Sequence, residues 1–171
     1  MTCEEMKSQA AQKIVEAAKF AAMVSLNAKD LKIDISASLF YNIRDAIFHF
    51  KAMCDYIENG DHDGTVRNYN NLMEHILRGE KDSIILQTQN IINQVTLLMQ
   101  SQEFNCDYKK EDIKKVQYYV HLLKKVILDI RLEGIGLSGK MGFLVVQEWN
   151  KVNRYTVAIN DICKSYGKSI F

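Results

Sequence analysis

The sequence predicts an all-α protein, an antiparallel helical bundle of five to six helices, and three observations carry that reading. Proline is absent from the 171 residues, where average usage of ~5% would supply about eight. Apolar residues recur at spacings of three and four along almost the whole chain, the period of helices with a buried face. Period-two alternation is confined to Leu31, Ile33 and Ile35, too short a run for a sheet.

The first helix is expected over residues ~4–27, with Ala10, Ile14, Ala17, Ala21 and Val24 in one stripe. Ala11, Val15, Ala18 and Ala22 widen that stripe, so the helix reads as one wedged between others. Residues 28–37 connect it to a helix spanning Ser38 to Glu58, around which the rest is organised. Ile43, Ala46, Ile47, Phe50, Met53, Cys54 and Ile57 form its core stripe. Asp34, Ser36 or Ser38 is its N-cap and Gly60 its stop. Tyr41, Arg44, Phe48, Lys51 and Asp55 form a second stripe on the opposite side. A helix apolar on two sides has neighbours on both, inside the domain or across a dimer.

The third helix runs from ~65 toward Arg78, and ~80–103 continues it with Ile84, Thr88, Ile91, Val95 and Leu98 at 4-3-4-3 spacing. Gly79 either kinks one long helix or separates two. Residues 104–108 read as a loop, and ~109–132 as a helix with Ile113, Val116, Val120, Leu123, Ile127 and Ile130 inward. Half of the eight glycines (Gly134, Gly136, Gly139 and Gly142) then fall within nine residues. This break at 134–142 precedes a last helix, 143–166, whose seam is Val145, Trp149, Val152, Thr156, Ile159, Cys163 and Tyr166. The length fits a single helical-bundle domain over 1–171.

Hydrophobic residues make up 47% and charged residues 25%, and the net charge is +1. The chain as a whole is therefore not a polyanion binder. No apolar run reaches ~18 residues, and no basic segment leads into an apolar one at the start of the sequence. Cys3, Cys54, Cys106 and Cys163 are widely spaced, which fits reduced thiols in a cytoplasmic protein better than a disulfide framework or zinc site.

Four stretches have the residue types of a site. Asn59 to Asn70 resembles an EF-hand loop, with Asp61, Asp63, Gly64, Thr65 and Val66 at five of its positions. Asn59 and Asn70 stand where that loop needs acids, so an acidic turn between helices is the better reading and no metal is expected. Gly134 to Lys140 contains GxGxxG and GxxxxGK strings, but no strand precedes them and Met141 follows the lysine. A turn is again preferred, and no cofactor is expected. Lys110, Lys114, Tyr118, His121 and Lys125 line one helix face, where lysines interleaved with an aromatic suit a nucleic-acid backbone, although a solvated helix face explains the same residues and is the preferred reading.

The fourth stretch is Arg44-Asp45-x3-His49. A guanidinium grips phosphate with a fork of donors, and an imidazole passes protons near neutral pH. The string resembles the R-x4-6-H motif of the HEPN superfamily. That resemblance implies a small helical bundle, commonly dimeric, and often a metal-independent endoribonuclease or toxin. It would make Arg44 the phosphate ligand, His49 the general acid/base and Asp45 a helper. Residues five apart lie ~140° apart on one helix, so such a site needs a bend or a second subunit. A polar ladder of Glu74, Arg78 and Asp82, with His75 beside it, can meet His49 if the second and third helices form a hairpin. The expectation is therefore an RNA-directed, HEPN-like homo-oligomer, a dimer by preference. A non-enzymatic helical interaction or oligomerisation module stands beside it.

Overall fold

The computed structural model describes residues 1–30, 37–132 and 141–170, with backbone alone at 27–30 and 141–144. It is all-α: α1 (Cys3–Asp30), α2 (Ala37–Glu58), α3 (His62–Gln100), α4 (Gln102–Asp107), α5 (Lys110–Leu132) and α6 (Met141–Lys164), with no strand among the described residues. The all-α helical class that the periodicity predicts is what the described residues form. None of the described helices is long and apolar enough to cross a membrane. All four cysteines are free. The connector before α2 and the glycine-rich strings of 134–139 lie outside the described residues, as do Asp34 and Ser36.

The chain divides into two compact units, and the boundary falls inside α3 between Ser83 and Ile84. The first unit contains α1 as far as Asn27, α2 and the first half of α3. Its core is Met6, Ala10 and Ala17 of α1, Ala46 and Met53 of α2, and Leu72 and Ile76 of α3. Ile14, Ile43, Phe50, Ile57 and Met73 close around them. The small residues of α1 let the three helices approach closely. Ala11, Val15, Ala18 and Ala22 do not widen the buried stripe as the sequence suggests, because they face solvent. One face of α1 is covered, not two.

The second unit contains the rest of α3 with α4, α5 and α6. Ile84, Thr88, Ile91 and Val95 are buried, as are Val116, Val120, Leu123, Ile127 and Ile130 of α5. The six positions from Val145 to Cys163 that spacing picks out on α6 are buried too, with Tyr166 half-buried. The stretch 104–108 is not simply a loop. Ser101 caps α4 by accepting from the Phe104 amide at 3.2 Å. Phe104 is buried and its ring meets Tyr108 at 4.3 Å, which in turn stacks on Tyr166 at 4.0 Å. The cap and the aromatic anchor hold one helical turn that period counting over five residues cannot detect.

Candidate functional site

α2 and α3 form an antiparallel hairpin, joined through Asn59, Gly60 and Asp61. Gly60 has φ 71°, the left-handed region where glycine carries no steric penalty. The Asp61 carboxylate accepts from the Gly64 amide at 2.8 Å and starts α3. Helix therefore begins at His62, and most of the stretch that resembles a calcium loop is wound into α3. Among the described residues, no group of three or more His, Cys, Asp or Glu side chains is placed to hold a metal ion.

Gly79 neither breaks nor ends α3, which is one helix of 39 residues. It lets the helices touch: a Cβ there would lie 2.8 Å from the Asn42 Cβ and 3.3 Å from Leu39 Cδ1. Gly64 does the same at the other end of the hairpin, against the Tyr56 ring.

Four polar side chains lie between these two contacts. His75 Nδ1 is 3.2 Å from Asn42 Oδ1, and His49 Nδ1 is 3.0 Å from Asn68 Oδ1. Each amide is oriented by its nitrogen. Asn42 Nδ2 donates to the Ser38 carbonyl at 2.8 Å, and Asn68 Nδ2 to the Gly64 carbonyl at 2.9 Å. The amide oxygens can only accept, so both imidazoles carry their proton on Nδ1. The two rings stack on each other with centroids 5.3 Å apart. Each helix thus contributes an Asn and, seven residues later, a His. Antiparallel packing pairs the Asn of one with the His of the other. Chemically the cluster offers two stacked imidazoles, each bonded through Nδ1 and half-buried in the hairpin.

Arg44 is elsewhere. Its guanidinium bonds Asp45 at 2.8 Å and lies over the Tyr41 ring at 5.2 Å, on the exposed side of α2. α2 is unbroken from Ala37 to Glu58, so the ~140° between Arg44 and His49 stands and no described contact joins them. The ladder on α3 divides similarly. His75 joins His49, whereas Glu74 and Arg78 pair with each other at 2.7 Å and Asp82 meets Ser38 at 3.4 Å. Ser38 is inside α2, not its N-cap.

The outer side of α2 is apolar and open. Phe40 is 48% exposed, Tyr41 57%, Ile47 50% and Phe48 64%. Ile47 thus leaves the predicted core stripe and joins the second one. Ala37, Arg44, Lys51, Asp55 and Glu58 are exposed on the same strip, which runs the ~33 Å length of the helix. On α5, Lys110, Lys114, Tyr118, His121 and Lys125 are all exposed, with Lys124 and Arg131 beside them. Glu111, Asp112 and Asp129 sit at or beyond the edge of that face. Asp112 accepts from the Tyr166 hydroxyl at 2.7 Å and pairs with Lys115. Both contacts hold its carboxyl below the usual range.

Among the described residues, burial strongly raises two titratable groups, the Tyr108 hydroxyl in the second unit and a carboxyl in the first. Glu80 of α3 is buried, and burial pushes its carboxyl up to about 7, opposed by Lys13 and aided by Glu16. Sequence reasoning passes over Glu80, as it does Asn42 and Asn68. A signal for the two asparagines was present: Asn42 and His49, and Asn68 and His75, repeat one spacing of seven on two consecutive helices. Comparison with protein-family models, with characterised proteins and with solved structures returns no match.

Proposed function

We propose that this chain is a non-enzymatic helical module that assembles with itself, and that the outer stripe of α2 is its assembly face. The carrying observation is the stripe: four large apolar side chains, each about half exposed or more, follow one another along a single helix face. At ~150–250 Å² for a buried aromatic, they leave on the order of 400 Å² of apolar surface open. A contiguous patch of that size on a monomer is commonly an interaction site. The separation of Arg44 from His49, each engaged by other partners, also favours assembly over catalysis at that pair. The test is native mass by sedimentation at increasing concentration, for the parent and for Phe48→Glu. The parent should grow beyond one chain and the variant should stay a monomer with unchanged thermal stability. A parent that remains monomeric at several hundred micromolar would refute the reading.

A second reading, RNA binding, is favoured by the α5 face, where five Lys and Arg residues flank an exposed Tyr118 and His121 with no acid along the middle line. Neutralising phosphates with such a face releases counterions, so binding should weaken steeply with salt. Fluorescence anisotropy with a labelled single-stranded RNA checks this. Lys114→Glu with Lys125→Glu should weaken binding and flatten its salt dependence. An unchanged isotherm removes RNA from the account.

A further inference from the structure

The charges along the outer stripe of α2 are ordered. Arg44 and Lys51 come first, then Asp55 and Glu58, all exposed on the strip that carries Phe40, Tyr41, Ile47 and Phe48. A second copy laid parallel on this face would set like charges side by side. Laid antiparallel, it sets positive against negative at both ends. The register matters as well. If Arg44 faced Glu58 of the second copy, the two Lys51 ammonium groups would meet at the symmetry axis. If Arg44 faces Asp55 instead, Lys51 falls against the Phe48 ring of the second copy, and Tyr41 falls near its Glu58. Cations over aromatic faces and opposite charges at the rim are both favourable.

We infer that the partner of the α2 stripe is a second copy of this chain, lying antiparallel across a twofold axis, with Arg44 of each copy against Asp55 of the other. This rests on the self-assembly proposed above and adds its geometry and its number. An isologous interface uses the same patch on both copies and closes at two. The Arg44 guanidinium is already ordered by Asp45 at 2.8 Å and by the Tyr41 ring. The open apolar area is about half of the ~800 Å² per partner in a standard interface, and the exposed Arg44, Lys51, Asp55 and Glu58 interleave with it along the same strip.

The test is a charge exchange read by sedimentation equilibrium on the full chain. Arg44→Asp alone and Asp55→Arg alone should each weaken dimerisation, by roughly tenfold or more, because two like-charge contacts form per dimer. The double variant Arg44→Asp with Asp55→Arg should regain the parent affinity. An equimolar mixture of the two single variants should form a mixed dimer that neither forms alone. Circular dichroism melts keep folding separate from assembly, since both positions are exposed and the variants should melt as the parent does. If the parent dimerises and Phe48→Glu abolishes it while the charge exchanges change nothing, the stripe is the assembly face and the antiparallel register is wrong. A parent mass of three or more chains also overturns the pairing. A monomeric parent overturns both the pairing and the self-assembly it rests on.

Discussion

Glu80→Gln should stabilise the protein above neutral pH and remove part of its pH dependence. The Glu80 carboxyl is buried on α3, and burial, partly offset by Lys13, raises its folded-state pKa from 4.5 to about 7. A raised folded pKa means that the native state holds a proton the unfolded chain has released. Between pH 4.5 and 7 the native state therefore binds more protons, and stability falls as pH rises through that window. Each unit of pKa is worth ~1.4 kcal/mol, so the full loss is on the order of 3 kcal/mol by pH 8. Glutamine has the same shape and no charge to desolvate. It should track the parent near pH 5 and exceed it by about 1–3 kcal/mol at pH 8. Urea melts of both proteins at pH 5, 6, 7 and 8 isolate the contribution, because every other titrating group is common to the pair. Two melting series that stay parallel across this range would show that Glu80 is ionised in the folded state at no expense, and that the burial account is mistaken.

Gly79→Ala should destabilise despite the better helix propensity of alanine. The gain of ~1 kcal/mol is set against a Cβ placed 2.8 Å from the Asn42 Cβ, and overpacking of that kind costs about 1–3 kcal/mol. A net loss of up to about 2 kcal/mol in urea melts is expected, with the Asn42–His75 contact disturbed; a gain would mean that the helices are not held at this distance. A double-mutant cycle on Asn42→Ala and His75→Ala should return a coupling of about 0.5–1.5 kcal/mol. No coupling would mean that water satisfies both groups equally well.

The helices were readable from residues because burial imposes a period, and the α6 seam is the clearest case. Every position from Val145 to Cys163 that the 4-3 spacing selects is buried. What periodicity does not encode is which of two apolar faces finds a neighbour. On α1 the widening alanines face solvent, and on α2 Ile47 lies outside the core. Hydrophobicity alone makes Ile43 and Ile47 alike, and only the position of α3 separates them. Gly79 was ambiguous for a related reason. A glycine inside a helical pattern signals either a break or a close approach, and the neighbour that decides, Asn42, is 37 residues away along the chain. The polar cluster was half visible. His49 and His75 stand out in the sequence as imidazoles, whereas Asn42 and Asn68 resemble any exposed helix amide until the helices are paired.

The packing of α2 inverts the usual economy of a helix, and the inversion links the fold to the proposed assembly. Its α3-facing side carries Asn42 and His49, while Tyr41 and Phe48, one residue before each, face outward. Turning α2 by ~100° about its axis would carry the two aromatics toward α3 and the two polar groups toward water. Burying a large apolar side chain contributes ~1.5–3 kcal/mol, more than the ~1 kcal/mol net of a neutral hydrogen bond. On that comparison alone the turned helix would be preferred. Two features oppose it. Gly79 brings the α2 and α3 backbones too close for a ring beside Asn42, and Leu39, Ala46 and Met53 would leave the core. The reciprocal Asn–His pairs are satisfied only in the observed rotation, so they select it against its neighbours more than they strengthen it. The same rotation that completes the polar cluster inside the hairpin holds Phe40, Tyr41, Ile47 and Phe48 outside it. Exposed apolar surface held open by a structural device in this way is surface that a second molecule can cover.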